Sequence, residues 1–304
     1  MNSDVRNIKF VFFGTPEFAV GVLEKLLDAG LPPIAVVCNP DRPVGRKKIV
    51  TPPPVKVRIM NHESGIKDKI QIFQPEKLDE KFIADIKALE PDYFVIAAFS
   101  KILRADVLAI PAKGVLGVHP SLLPKHRGAT PLQSAILDGD SETGVTIFLV
   151  DTGIDHGPIL VQEKYELSAR TTYRELSETL SSMGGILLAK TLPAFDAGEI
   201  APLTQSEGDA TLTKKFTSDD AKIDEPLLDA ALDGDFALSE AIDRKIRALN
   251  PEPGTWTLRQ PSIDKAQDGQ GKPQRVKLLE ADIDGGALVL KKIQVEGKKP
   301  EEVE

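Results

Sequence analysis

Apolar positions in the first half of the chain fall in short unbroken runs that alternate with helical patterns. Residues 8–13 (IKFVFF) predict a strand buried on both faces, and residues 34–38 (IAVVC) a second. Residues 71–73 predict a weak third, 93–98 a fourth, Gly114–His119 (GVLGVH) a fifth, and 144–150 and 159–165 two more. Residues 19–28 and 81–89 carry apolar side chains at helical spacing, closed by Gly30 and Pro91. Strands alternating with helices predict a mostly parallel sheet covered on both faces. Residues 172–195 form a longer helical pattern, interrupted at Gly184–Gly185 and expected to pack across that sheet.

The pattern changes near residue 200. Residues 201–213 are polar and without periodicity, which reads as a linker. One helical pattern then covers 238–249, and short alternating segments follow at 255–258, 275–280 and 287–295, separated by Gly and Asp turns. The expected fold class is therefore α/β. A Rossmann-like, mostly parallel sheet domain covers residues 1–200, a linker 201–212, and a small, mostly-β, OB-like barrel domain 213–304.

A length of 304 residues fits two such domains. The net charge of −8 does not announce a nucleic-acid binder. The longest apolar run, 93–99, falls far short of the roughly 18 residues a membrane helix needs. Cys38 is the sole cysteine, which excludes an internal disulfide framework and suits a reducing cytoplasm. No partner membrane is expected, and the expected state is a monomer. The four histidines are scattered, with no H-E-x-x-H and no second Cys, so no metal is expected.

The first strand runs into Gly14-Thr15-Pro16-Glu17, but neither G-x-G-x-x-G nor a phosphate-loop pattern follows. Gly14 reads equally as a ligand approach or as a turn into the next helix. The richest segment is Gly117-Val118-His119-Pro120-Ser121-Leu122-Leu123-Pro124-Lys125-His126-Arg127-Gly128-Ala129-Thr130-Pro131. It places His119 at the carboxyl end of a buried strand, where such sheets hold their ligands. Pro120, Pro124 and Pro131 stiffen the loop against regular helix. A second segment, Val150-Asp151-Thr152-Gly153-Ile154-Asp155-His156-Gly157-Pro158, also follows a strand. A carboxylate from this turn beside His119 would orient the imidazole and favour its charged form. Read singly, His119 is more often a structural histidine and the acids more often caps of backbone amides.

Taken together, these segments resemble the folate-dependent formyltransferases. FFGTPEFA is similar to the N-terminal signature, CNPDRPVGRKK to a basic insertion loop, and HPSLLPKHRGATP to the central motif. TGVTIFLVDTGIDHGPIL is similar to the acid-bearing turn with its strands, and KIRALNPEPGTWT to the C-terminal domain of the tRNA-directed members. The resemblance implies transfer of a formyl group from 10-formyltetrahydrofolate to the α-amine of methionine on initiator tRNA. It maps the catalytic trio to His119, Asp155 and Gly117, where the family has Asn. Gly117 supplies no amide donor, and the hydroxyl of Thr130 is one candidate replacement.

Ser121, Leu122, Leu123 and Pro124 map to the folate-facing stretch, with Phe99 and Ile102 of segment 99–103 expected in the same pocket. Leu122 and Leu123 read equally as core. Residues 39–56 hold Arg42, Arg46, Lys47, Lys48 and Lys56 against Asp41 alone, a local cationic patch in an acidic protein. Pro43 and Pro52–Pro54 are expected to keep this segment out of helix and sheet. The resemblance sends it to the tRNA acceptor end, with Arg42, Arg46, Lys47 and Lys48 as contacts. Lys245, Arg247, Lys291, Lys292, Lys298 and Lys299 read as further phosphate contacts or as solvated surface. Two other readings share the central motif: a sugar-nucleotide or small-amine formyltransferase, and a tRNA- or folate-binding homologue without turnover, which Gly117 supports.

Overall fold

The computed structural model describes residues 8–45, 47–62, 69–259 and 273–303. In chain order, β1 is Phe10–Gly14, α1 Glu17–Asp28, β2 Ala35–Val37, β3 Arg42–Val44, β4 Ile49–Thr51 and α2 Pro54–Met60. There follow β5 Gln71–Phe73, α3 Glu80–Lys87, β6 Tyr93–Ala97, α4 Ala105–Leu108, β7 Gly114–His119, β8 Arg127–Gly128 and α5 Pro131–Asp138. Then come β9 Glu142–Leu149, β10 Ile159–Glu166, α6 Tyr173–Asp196, β11 Leu212–Thr213, α7 Glu225–Leu232 and α8 Phe236–Leu249. The chain closes with β12 Trp256–Arg259, β13 Gln274–Asp284, β14 Ala287–Val295 and β15 Glu301–Glu302. Two compact units emerge. One contains residues 1–128, 142–166 and 177–212; the other contains 129–141, 167–176 and 213–304.

The first unit is built on a seven-stranded sheet in the order β10-β9-β7-β6-β1-β2-β5. The five strands from β7 to β5 are parallel, whereas β9 runs antiparallel to both of its neighbours, β7 and β10. All five residues of β1 are buried, which is why that run lacks alternation. Phe13, Phe82, Phe94 and Val107 anchor the core on one face. On α1, Phe18, Ala19, Val22, Leu23 and Leu26 are buried. The Gly184–Gly185 pair does not break α6. A Cβ on Gly184 would lie 2.7 Å from Val118 Cγ1, and one on Gly185 2.8 Å from the Val22 carbonyl. The glycines let this helix approach the sheet and α1 closely.

The prolines around the basic segment do not exclude regular structure. β3 and β4 pair as a short hairpin with Pro43 opposite Val50, and an edge hairpin tolerates one missing N–H. Pro54 opens α2, at the helix position where proline loses no hydrogen bond. Pro131 opens α5 in the same way. Residues 201–212 also depart from the linker reading. Leu203 bridges to Ile159 by two hydrogen bonds of 2.8 Å, and the segment groups with the first unit.

The second unit carries a four-stranded antiparallel meander, β12-β13-β14-β15. Two helices, not one, pack with it: Leu228 and Ala231 of α7 join Ile242 and Ile246 of α8 in a core with Val276, Leu278 and Leu288. The acidic residues around α7 had hidden its short apolar face. Asp243, 3% exposed, is held by Arg247 Nε at 2.8 Å and Arg170 Nη1 at 3.1 Å. Arg247 is therefore engaged in an internal ion pair. Lys245 donates to the Lys222 carbonyl at 2.7 Å, and burial pushes its pKa down. Lys292 pairs with Glu302 at 2.8 Å.

Candidate functional site

β1, β2, β5, β6 and β7 are parallel, so their carboxyl ends share one rim of the first unit's sheet. His119 ends β7 on that rim, and the β3–β4 hairpin follows β2 from it. His119 is 5% exposed. Its Nε2 lies 2.9 Å from the His126 carbonyl oxygen. A carbonyl only accepts, so Nε2 carries the proton and Nδ1 is the basic atom of the neutral ring. Nδ1 stands 3.6 Å from Asp155 Oδ2. The tautomer is thus fixed by the His126 backbone rather than by Asp155. Asp155 presents its carboxylate to the ring at Nδ1.

Asp155 reaches this point by an indirect path. β9 is antiparallel to β7, with Leu149 opposite Leu116, so the acid-bearing turn begins at the far end of β7 from His119. The turn then folds back, and Asp155 sits in it with a φ of 47°. Oδ2 accepts the Gly128 N–H at 2.8 Å. Gln205 Nε2 donates to the carbonyls of Asp155 at 2.9 Å and Gly157 at 2.7 Å. Its Oε1 accepts from Arg127 Nε at 3.0 Å, and the Arg127 fork grips Glu207 at 2.8 and 3.1 Å. Gly157 has no room for a side chain, since a Cβ would lie 1.8 Å from the Leu149 carbonyl. Asp151 is turned elsewhere. Partial burial would raise its carboxyl, but hydrogen bonds from His156 and the Gly153 N–H hold it below the usual carboxylate range.

Gly117 lies directly opposite Phe148 in the β7–β9 pair. A Cβ at 117 would stand 2.3, 2.7 and 3.0 Å from three ring atoms of Phe148. The ring already occupies the room a side chain there would take. Thr130 belongs to the second unit, where its hydroxyl donates to the Lys214 carbonyl at 2.6 Å; that proton is already engaged.

The remaining expected residues divide between wall and frame. Ser121 is fully buried and its hydroxyl donates to the Lys125 carbonyl at 2.6 Å. Leu123 is 2% exposed and packs with Phe148 and Ile159. Both are framework. Leu122 and Pro124 are half-buried. Phe99, also half-buried, meets Phe13 edge-on at 5.4 Å. Ile102 is 89% exposed, open to solvent rather than part of an enclosed wall.

On the hairpin, Arg42 is exposed and ion-paired with Glu76, and Lys47 and Lys48 are exposed at its tip. Arg46 lies outside the described residues. Lys56 Nζ reaches both Asp41 oxygens at 2.9 Å, and Gln74 Nε2 donates to Asp41 at 2.7 Å and to the Asn39 carbonyl at 2.9 Å. These bonds from Lys56 and Gln74 hold the Asp41 carboxyl below its ordinary range. Burial pushes the Cys38 thiol up to about 11, leaving it protonated and inert at neutral pH. Among the described residues, no three His, Cys, Asp or Glu side chains gather as a metal-holding group, and no helix is long and apolar enough to cross a membrane.

Sequence reasoning missed Phe148 and Gln205. Phe148 is one apolar residue in an apolar strand; Gln205 is one polar residue in a polar stretch. Neither carries a signal without its three-dimensional neighbours.

The part of the chain that holds the sheet, His119 and Asp155 corresponds to a known family: the profile of the formyl transferases matches residues 6–192. Methionyl-tRNA formyltransferase of Halorhodospira halophila is 41% identical over 248 residues, covering 81% of this chain and 74% of that protein. The Chloroflexus aurantiacus protein of the same name is 39% identical over 280 residues, 91% and 82% of the two chains. That of Lachnospira eligens is 36% identical over 311 residues, 96% and 93%. The chain belongs to the methionyl-tRNA formyltransferase family. Among solved structures, methionyl-tRNA formyltransferase from Clostridium thermocellum superposes with a TM-score of 0.57 at 18% identity, over 95% of this chain and 98% of that one. The Helicobacter canadensis N-formyltransferase, in complex with folinic acid and dTDP-3-aminofucose, gives 0.57 at 20% identity over 93% and 98%. At those identities the likeness is one of fold.

Proposed function

We propose that the chain moves a formyl group from 10-formyltetrahydrofolate to the α-amine of methionine esterified to initiator tRNA. The observation that carries this reading is the approach of Asp155 Oδ2 to within 3.6 Å of His119 Nδ1 at the rim of the sheet. The neutral amine attacks the formyl carbon, a C–N bond forms, and the tetrahedral centre carries an oxyanion. His119 Nδ1 takes the proton shed by the amine and returns one to folate N10 as the C–N10 bond breaks. While protonated, Nδ1–H is the donor left to divide between the Asp155 carboxylate and the oxyanion, because Nε2–H is held by the His126 carbonyl. Asp155 stabilises that transient cation. Leu122, Pro124 and Phe99 are the half-buried groups left to flank the pterin, with Leu123 and Ser121 behind them.

The cationic hairpin, anchored through Asp41, Lys56 and Gln74 on the same rim, supports a phosphate-bearing acceptor over a small amine. The names of the curated relatives favour tRNA over the sugar-nucleotide alternative. A second reading, recognition without turnover, draws on the missing donor at Gly117. One assay separates the three. Purified protein is given 10-formyltetrahydrofolate with methionyl initiator tRNA or with an amino-sugar nucleotide, and both binding and product are recorded. The proposal expects formyl-methionyl-tRNA alone. Sugar product refutes it in favour of the small-amine reading, and tRNA binding without product in favour of the second reading.

A further inference from the structure

We infer that Phe148 is a positioning residue for His119 and forms a matched pair with Gly117. The inference rests on the formyl-transfer reading for its kinetic consequence but not for its geometry. In an antiparallel pair, residues directly opposite point to the same face, and so do residues i and i+2. Gly117, Phe148 and His119 therefore share one face of the sheet. The Phe148 ring lies over the bare Cα of Gly117, as the 2.3 Å approach to a hypothetical Cβ requires. Its centroid is 6.4 Å from that of the His119 imidazole, with the planes at 86°. Leu123, Ile159 and Val150 hold the ring from other sides, and it is 3% exposed.

The imidazole is thus fixed at three points. The His126 carbonyl takes Nε2–H, the Asp155 carboxylate faces Nδ1, and the Phe148 ring forms an apolar stop beside it. The side-chain volume that another chain would spend at position 117 is supplied here from across the strand pair. One consequence runs against intuition. Installing Asn at 117 alone adds an amide donor, yet its Cβ must displace the ring and with it the imidazole. Turnover then falls instead of rising.

The test is a double-mutant cycle between position 117 and position 148, using Gly117→Ala and the smaller, still apolar Phe148→Leu so that each protein folds. Formyl transfer to methionyl-tRNA is measured as kcat and KM, and His119 is followed by NMR in protein carrying 15N-labelled histidine. Gly117→Ala is expected to lower kcat by about 100-fold, the cost of roughly 1 Å of misplacement, with KM for folate little changed. The His119 Nε2–H signal should shift or broaden. Adding Phe148→Leu should recover most of that loss and return the signal. The pairing is overturned if Gly117→Ala leaves kcat within about threefold of the parent, or if the double variant is no better than Gly117→Ala. An unmodified protein without transfer activity would sink the functional proposal, while the NMR arm would still decide the positioning.

Discussion

Replacing Asp155 by Asn isolates the charge of the carboxylate from its structural work. Asn tolerates the positive φ of 47° at this position better than most residues. Its amide oxygen can still accept the Gly128 N–H, and Gln205 still holds the backbone carbonyl. The His126 carbonyl keeps Nε2 protonated in either protein. What disappears is a negative charge 3.6 Å from the nitrogen that becomes cationic during transfer. At that separation and an effective dielectric near 20, the Coulomb attraction is about 5 kcal/mol. The side chain of Asp155 is 26% exposed, so solvent screening reduces this to roughly 2–4 kcal/mol, or about 30- to 1,000-fold in rate. The assay is single-turnover formylation of methionyl-tRNA, with urea unfolding of both proteins as the control for folding. A single-turnover rate constant within about threefold of the parent, in a variant of unchanged stability, would refute an electrostatic role for Asp155.

Three further outcomes are expected. Gln205→Leu removes the hydrogen bonds that Gln205 makes to Arg127 Nε and to the carbonyls of Asp155 and Gly157, so unfolding stability in urea should fall by about 3 kcal/mol; an unchanged midpoint would contradict a structural role for Gln205. Glu76→Gln releases Arg42 from its exposed ion pair and should tighten tRNA binding a few-fold while steepening its salt dependence; equal affinities would show that Arg42 is no phosphate contact. The Asp41 carboxyl is depressed by its bonds to Lys56 and Gln74. Its contribution is therefore present above the unfolded value of about 4 and is lost as the pH falls through the lower folded value. Pepsin should begin to nick the hairpin at its exposed Val44, Ile49 and Val50 as the acid releases Asp41. Asp41→Asn should be nicked at higher pH, and identical profiles would count against the anchor.

The strands that carry the site were legible because both their faces are buried. Residues such as Phe10, Phe12 and Phe13 leave no ambiguity of period. His119 was legible through its place at a strand end and Asp155 through its glycine-bounded turn, although the antiparallel course of β9 was not. Elements opened by proline are not legible, since Pro54 and Pro131 look alike in a loop and at the first turn of a helix. Tertiary satisfaction was not legible at all. The His126 carbonyl, Gln205 and Phe148 act through groups distant in sequence, and no local pattern distinguishes a glutamine bonded to two buried carbonyls from a solvated one.

The most direct test of the account is rapid-quench transfer of labelled formyl from 10-formyltetrahydrofolate to methionyl initiator tRNA, comparing the parent protein with His119→Asn. The account predicts label on the methionine amine with the parent protein. It also predicts a loss of at least about 100-fold with the variant, whose side chain has no basic nitrogen at the Nδ1 position. Equal transfer by the two proteins would contradict it.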